Sequence, residues 1–130
     1  MSNCTDSLPI ICIDFKKSRF RIHKNTLRML GNPDYIQLLV NPYENILAIR
    51  CSFREDRLSH EVRLERFPSK SSYELYSNSL TSTLLQNNKH LHHDSSYRFY
   101  GSLNTTHGIA LFCLNNAVPL SPNEGKEVAI

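Results

Sequence analysis

The chain has 130 residues, 40% hydrophobic and 21% charged, with a net charge of +3, which is enough for an ordered core in one compact domain or two very small ones. No apolar run approaches the roughly 20 residues that span a bilayer. Met1 to Pro9 holds no lysine or arginine ahead of an apolar stretch, so no membrane span and no secretory signal is expected, and the expected compartment is the cytoplasm.

Ile10 to Phe15 is short, apolar and rich in β-branched residues, the composition of a strand. Lys16-Lys17-Ser18 reads as its turn, and Arg19-Phe20-Arg21-Ile22 alternates like a half-buried return strand. Asn25 or a neighbour is placed to cap a short helix with apolar positions Leu27 and Leu30, which Gly31 stops, with Pro33 just after. Tyr35 to Val40 and Ile46 to Cys51 are apolar strands across the turn-forming Asn41 to Asn45. The charged stretch from Phe53 to Ser59 reads as a linker.

The same order of elements then returns. Val62 to Phe67 reads as a strand, Pro68 to Ser71 as its turn and Tyr73 to Tyr76 as the return strand. Ser77-Asn78-Ser79 opens a helix with Leu80 and Leu84 on one face. A polar, histidine-rich stretch runs from Asn87 to Ser95, followed by strands at Tyr97 to Leu103 and Ile109 to Leu114 and an aperiodic tail from Ser121. Phe20 to Leu27 aligns with Tyr73 to Leu80, keeping every apolar position and the asparagine. Val40 and Ile46 enclose five residues, as do Leu103 and Ile109. The expected fold is therefore α+β, mostly β: two tandem ββαββ units at 10–52 and 62–118, forming a pseudo-dimeric barrel or sandwich with two short helices. An arm at 1–9, a linker at 53–61 and a flexible tail at 119–130 complete the division.

The charge is unevenly spread. Residues 1–59 carry nine Lys/Arg and six Asp/Glu, whereas residues 60–130 carry six of each. Lys16, Lys17, Arg19, Arg21, Lys24 and Arg28 form a run with no acidic residue among them, a local density suited to a polyanion. The alternative is a solvated hairpin and helix face.

Ser18-Arg19-Phe20-Arg21-Ile22, the short helix ending Leu30-Gly31, and the two apolar strands that follow resemble the AbrB-like swapped-hairpin family, whose pattern is Gly-Arg-x-x-Ile-Pro, a short helix ending Leu-Gly, then a β-hairpin. The resemblance covers Ile10 to Cys51 and, more faintly, Val62 to Leu114; the tandem plan is similar to that of the MraZ proteins, though their Asp-x-x-x-Arg signature has no counterpart here. His23 stands where the family has Pro, Thr26 where it has an apolar residue, Leu27 where it often has Arg, and Ser72 where the first copy has Arg19. The resemblance implies transcriptional regulation through double-stranded DNA. Arg19 and Arg21 on the first hairpin and Lys24 and Arg28 on the helix would contact phosphates and base edges, with Lys16 and Lys17 adding phosphate contacts at the tip. Six such contacts give a log–log salt slope of roughly −5.

Other chemistries are weaker. His90, His92, His93 and Asp94 are ligand types for zinc or nickel, yet no second spaced pair accompanies them, so a solvated loop is the preferred reading. Cys12, Cys51 and Cys113 lie in apolar runs and read as small, reduced core residues, with a redox role as the alternative; Cys4 lies in the arm. Alternation puts Tyr73, Tyr97 and Phe99 in the core and leaves Tyr76 and Tyr100 as residues that could stack unpaired bases. There is no glycine-rich phosphate loop, no G-x-S-x-G and no H-E-x-x-H, so neither an enzyme nor a cofactor is expected. A homodimer or a partner protein held through an exposed sheet edge is the alternative role.

Overall fold

A computed structural model describes residues 8–62 and 72–120. Nine strands and two α-helices follow one another as β1 (Ile10–Asp14), β2 (Arg19–His23), α1 (Lys24–Met29), β3 (Tyr35–Asn41), β4 (Ile46–Cys51), β5 (His60–Glu61), β6 (Ser72–Tyr76), α2 (Asn78–Asn87), β7 (Ser96–Asn104), β8 (Ile109–Cys113) and β9 (Val118–Leu120), with one 3-10 turn at Leu114–Asn116. The fold is α+β and mostly strand, as the sequence leads one to expect. Among the described residues no helix is long and apolar enough to cross a membrane.

The strands form one curled antiparallel sheet in the order β5-β3-β4-β8-β7-β1-β2-β6, with β9 also paired to β7. Alternation decides which side chains turn inward. Ile11 and Ile13 of β1, Phe20 and Ile22 of β2, Leu47 and Ile49 of β4, Tyr97 and Phe99 of β7, and Ala110 and Phe112 of β8 all enter one core. Phe15 closes that core at the β1–β2 turn, edge-on to Tyr97 with ring centroids 5.9 Å apart. Both helices feed it, α1 through Leu27 and α2 through Leu84.

Strand β7 joins the two halves of the sheet. Its residues Ser96 to Tyr100 pair with β1, and Gly101 to Asn104 pair with β8. A side chain at Gly101 would put its Cβ under 3.0 Å from the Leu111 carbonyl oxygen and the Phe112 ring, so only glycine lets β7 pass so close to β8.

Helix α1 ends as the Leu-Gly sequence suggests. Gly31 takes φ +90°, its N–H donates to Arg28 O at 3.0 Å, and the Asn32 N–H donates to Leu27 O at 2.8 Å, the pair of bonds of a Schellman cap. Its start differs from the expectation. His23, not Asn25, is the N-cap residue, without a side-chain capping bond, and Asn25 lies within the helix, accepting a bond from Arg28 at 3.1 Å. The buried Thr26 fastens this end of the helix to the sheet. Its hydroxyl accepts from Ile10 N–H at 2.8 Å and lies 3.2 Å from Ile10 O, fastening α1 to the start of β1. The expected cap of α2 is present: Ser77 Oγ accepts from Leu80 N–H at 3.2 Å.

Two boundaries also move. His60 and Glu61, expected in the linker, form β5 against Tyr35 and Ile36 of β3. Pro119 and Leu120, expected in the tail, belong to β9 and pair with Tyr97 and Ser96. The expected strand from Val62 and its turn lie, beyond Val62, outside the described residues, as do Cys4 and the tail from Ser121.

Candidate nucleic-acid interface

The outward sides of β6, β2, β1 and β7 form one continuous surface. Cross-strand partners share a face, so the register Glu74–Arg21–Cys12–Arg98 is a row of outward side chains running across all four strands. The next row reads Tyr76–Arg19–Asp14–Ser96. Arg19 meets Asp14 at 3.4 Å, and Arg21 Nε lies 3.6 Å from Glu74. Arg98 has no carboxylate partner among the described residues; its Nη1 lies 3.5 Å from the Tyr100 hydroxyl. The Nε atoms of all three arginines are shielded from water and have no acceptor within hydrogen-bonding distance. Their stems therefore lie over the sheet and present charge at the guanidinium tips. An arriving anion would meet the donors at those tips rather than the covered Nε atoms.

His23 sits at the end of this surface. Partial burial holds its imidazole below the ordinary value of 6.5, and the positive charges of Arg98 and Arg21 push in the same direction.

The basic turn is held from the other half of the chain. Ser18 adopts φ +53°, its carbonyl accepts from Ser77 N–H at 3.0 Å, and its hydroxyl lies 3.1 Å from that of Thr81. Asp14 accepts from Lys17 N–H at 3.2 Å. Lys16 and Lys17 thus project from a fixed turn beside the arginine rows, both exposed.

The structure divides the sequence's basic run. Lys16, Lys17, Arg19 and Arg21 adjoin one surface. Lys24 opens α1 and Arg28 is exposed in its last turn, bonded to Asn25. Arg98 was missed because it lies far from the run in sequence. The signal that could have found it was local: it stands between Tyr97 and Phe99, both read as core, so alternation had to turn it outward. Cys12 corrects another expectation. Although only 7% exposed, it lies between Arg21 and Arg98 on the outward side, whereas Ile11 and Ile13 carry the core. Cys51 does pack against the core, facing Ile36, and burial raises its thiol pKa. Cys113 is half-buried opposite Ile46.

The histidine-rich stretch has a different arrangement. His90 Nε2 lies 2.9 Å from Leu114 O, the His92 N–H donates to the Tyr97 hydroxyl at 2.9 Å, and His92, His93 and Asp94 face solvent. Among the described residues no group of three or more His, Cys, Asp or Glu side chains is placed to hold a metal. Nearby, Asn45 Nδ2 donates to Asn88 and Asn115 at 2.6 and 2.8 Å, and buried Asn88 donates to Leu84 O at 2.9 Å. These bonds tie the β3–β4 turn to the end of α2 and to the 3-10 turn.

The outward side of β3, β4 and β8 is apolar over part of its area, and in the row beside that part Arg50 donates to Gln37. Leu39, Ala48 and Leu111 form one cross-strand row, and with Ile46 they line an open depression of about 250 Å³.

No protein-family model, no curated protein and no solved structure matches the chain.

Proposed function

We propose that the chain is a fused pseudo-dimer of AbrB-like plan that binds double-stranded DNA. The observation that carries the proposal is the clustering of Arg19, Arg21 and Arg98 across three adjacent strands, beside the fixed Lys16-Lys17 turn. Two carboxylates, Asp14 and Glu74, answer two of these arginines; Arg98 and the two lysines have no such partner among the described residues and leave the surface positive. Cations on a rigid sheet suit phosphate contacts, which position a duplex without reading its sequence. Lys24 and Arg28 on α1 would extend the footprint along the strand.

The strand registers support the pseudo-dimer. Aligning Phe20–Leu27 with Tyr73–Leu80 makes Arg21 the counterpart of Glu74, and aligning Val40–Ile46 with Leu103–Ile109 makes Ala48 the counterpart of Leu111. In the sheet, Arg21 pairs with Glu74 and Ala48 with Leu111. A residue that pairs antiparallel with its own counterpart lies on a local two-fold axis.

Duplex binding titrated against salt tests the proposal. Arg19→Ala/Arg21→Ala/Arg98→Ala should weaken binding at least tenfold and flatten the log–log salt slope by about 2 to 3. Equal binding by the variant and the native protein refutes the assignment of this face.

A further inference from the structure

We infer that the outward face of β6, β2, β1 and β7 is also a stacking platform for single-stranded nucleic acid, with Tyr76 and Tyr100 holding unpaired bases and Arg19, Arg21 and Arg98 holding the phosphates between them. The inference shares its arginines with the duplex reading and rests on that reading for its charge; the tyrosines are its own.

The two tyrosines stand out in how this sheet treats aromatic rings. Tyr97 and Phe99 are turned inward and buried, whereas Tyr76 is 61% exposed and Tyr100 44% exposed on the outward side. Neither ring is needed to complete the core. Tyr76 lies on β6 opposite Arg19, and Tyr100 lies on β7 opposite Ile10 of β1. They occupy opposite corners of a four-strand surface, separated by three strand spacings and two outward steps. At about 4.8 Å per spacing and about 7 Å per step, that is roughly 20 Å. The Arg21–Cys12–Arg98 row crosses between them, with Arg19 beside Tyr76. The Arg98 contact to the Tyr100 hydroxyl links phosphate binder to base binder.

Chemistry favours an unpaired strand for this pattern. Bases within a duplex are stacked on one another and cannot lie on a protein ring. Unpaired bases stack on tyrosine irrespective of sequence, while arginines follow the backbone. The span between the rings fits a short oligonucleotide better than a single nucleotide, and Lys16 and Lys17 carry the positive surface onward past β2.

Fluorescence anisotropy with labelled oligo(dT) and oligo(rU) of about 12 nucleotides, and a duplex of the same length, decides the matter. Native protein should bind both single strands. Tyr76→Ala and Tyr100→Ala should each weaken single-strand binding about tenfold, while Tyr76→Phe and Tyr100→Phe keep it and duplex binding is unchanged. Both side chains are exposed, so the variants should unfold with the native midpoint, which thermal denaturation checks. The inference is overturned if native protein ignores the single strands, if the alanine variants bind them like native, or if heparin competes equally for native and alanine variants, which would mark a general polyanion surface. The two readings fail separately. Loss of the tyrosine effect with arginine-dependent duplex binding intact removes the platform alone. Absent duplex binding with tyrosine-dependent single-strand binding removes the duplex reading alone.

Discussion

The outward face of β6, β2, β1 and β7 and that of β3, β4 and β8 belong to one sheet and cover one core, yet the first is mainly charged and the second mainly apolar. The first carries arginines, carboxylates, a histidine and two tyrosines; the second carries Leu39, Ile46, Ala48 and Leu111 around a shallow depression rimmed by Glu44, with one arginine, Arg50, bonded to Gln37. The inward residues are interchangeable in kind across the two halves, nearly all branched aliphatic or aromatic, with Ala110 the small one. The fold is therefore specified by the inner alternation, and the outer alternation is left to differ. Function is to be sought in that outer difference.

The largest effect should separate inside from outside at two adjacent residues. Phe112→Ala removes a fully buried ring and should cost about 3–5 kcal/mol. Leu111→Ala, one position earlier and 36% exposed, should cost about 1 kcal/mol or less. Chemical denaturation measures both, and similar costs would mean that β8 does not present opposite sides to core and solvent.

Gly101→Val comes next, because it acts where β7 passes from one half of the sheet to the other. Its Cβ would meet the Leu111 carbonyl and the Phe112 ring, so a loss of about 1–3 kcal/mol is expected. An unchanged unfolding midpoint would show that the two halves are not in such close contact there. Thr26→Val should cost about 1–2 kcal/mol, since it keeps the shape but leaves Ile10 N–H without its acceptor. Amide exchange at Ile10 should rise with it, and unchanged protection would contradict the fastening role.

The smallest effect is a pH dependence to which the polar face contributes through His23. The folded-state pKa of His23 lies below 6.5, so as pH falls the unfolded chain takes up the proton first. The contribution is fully present above about pH 6.5 and shrinks as pH drops toward the folded value. His60, also lowered by burial, acts in the same direction. Stability should decline as the pH falls below about 6.5, and His23→Asn should reduce that slope. Leu111→Ala should leave it alone; an equal change of slope in both variants would detach the effect from this face.

Much of this architecture was legible in the sequence because period-2 alternation and the Leu30-Gly31 stop are local signals. So was the outward placement of Tyr76 and Tyr100. What was not legible depended on contacts distant in the chain. The β9 pairing of Pro119 and Leu120 exists only because β7 offers a free edge beside Ser96 to Arg98. Arg98 joins Arg21 only through the intervening β1, and Cys12, which looks like a core residue in its apolar run, is covered by arginine stems from its neighbours. Sequence shows basic residues that are adjacent along the chain, such as Lys16 to Arg28, but not those brought together in space, such as Arg98 beside Arg21.

The Arg21–Glu74 pair has an evolutionary consequence under the proposed two-fold. In an association of two identical chains, the residue at this site would face itself, and an arginine would meet an arginine. Like charges directly opposite each other are unfavourable, so selection on such an ancestor would restrain arginine there. A single chain holding both halves is released from that restraint, since one position can change while its mate does not. Arg21 opposite Glu74 is a substitution pattern that duplication permits and self-association forbids. Under the proposed two-fold, the positive surface is where a fused pair of such segments is free to differ.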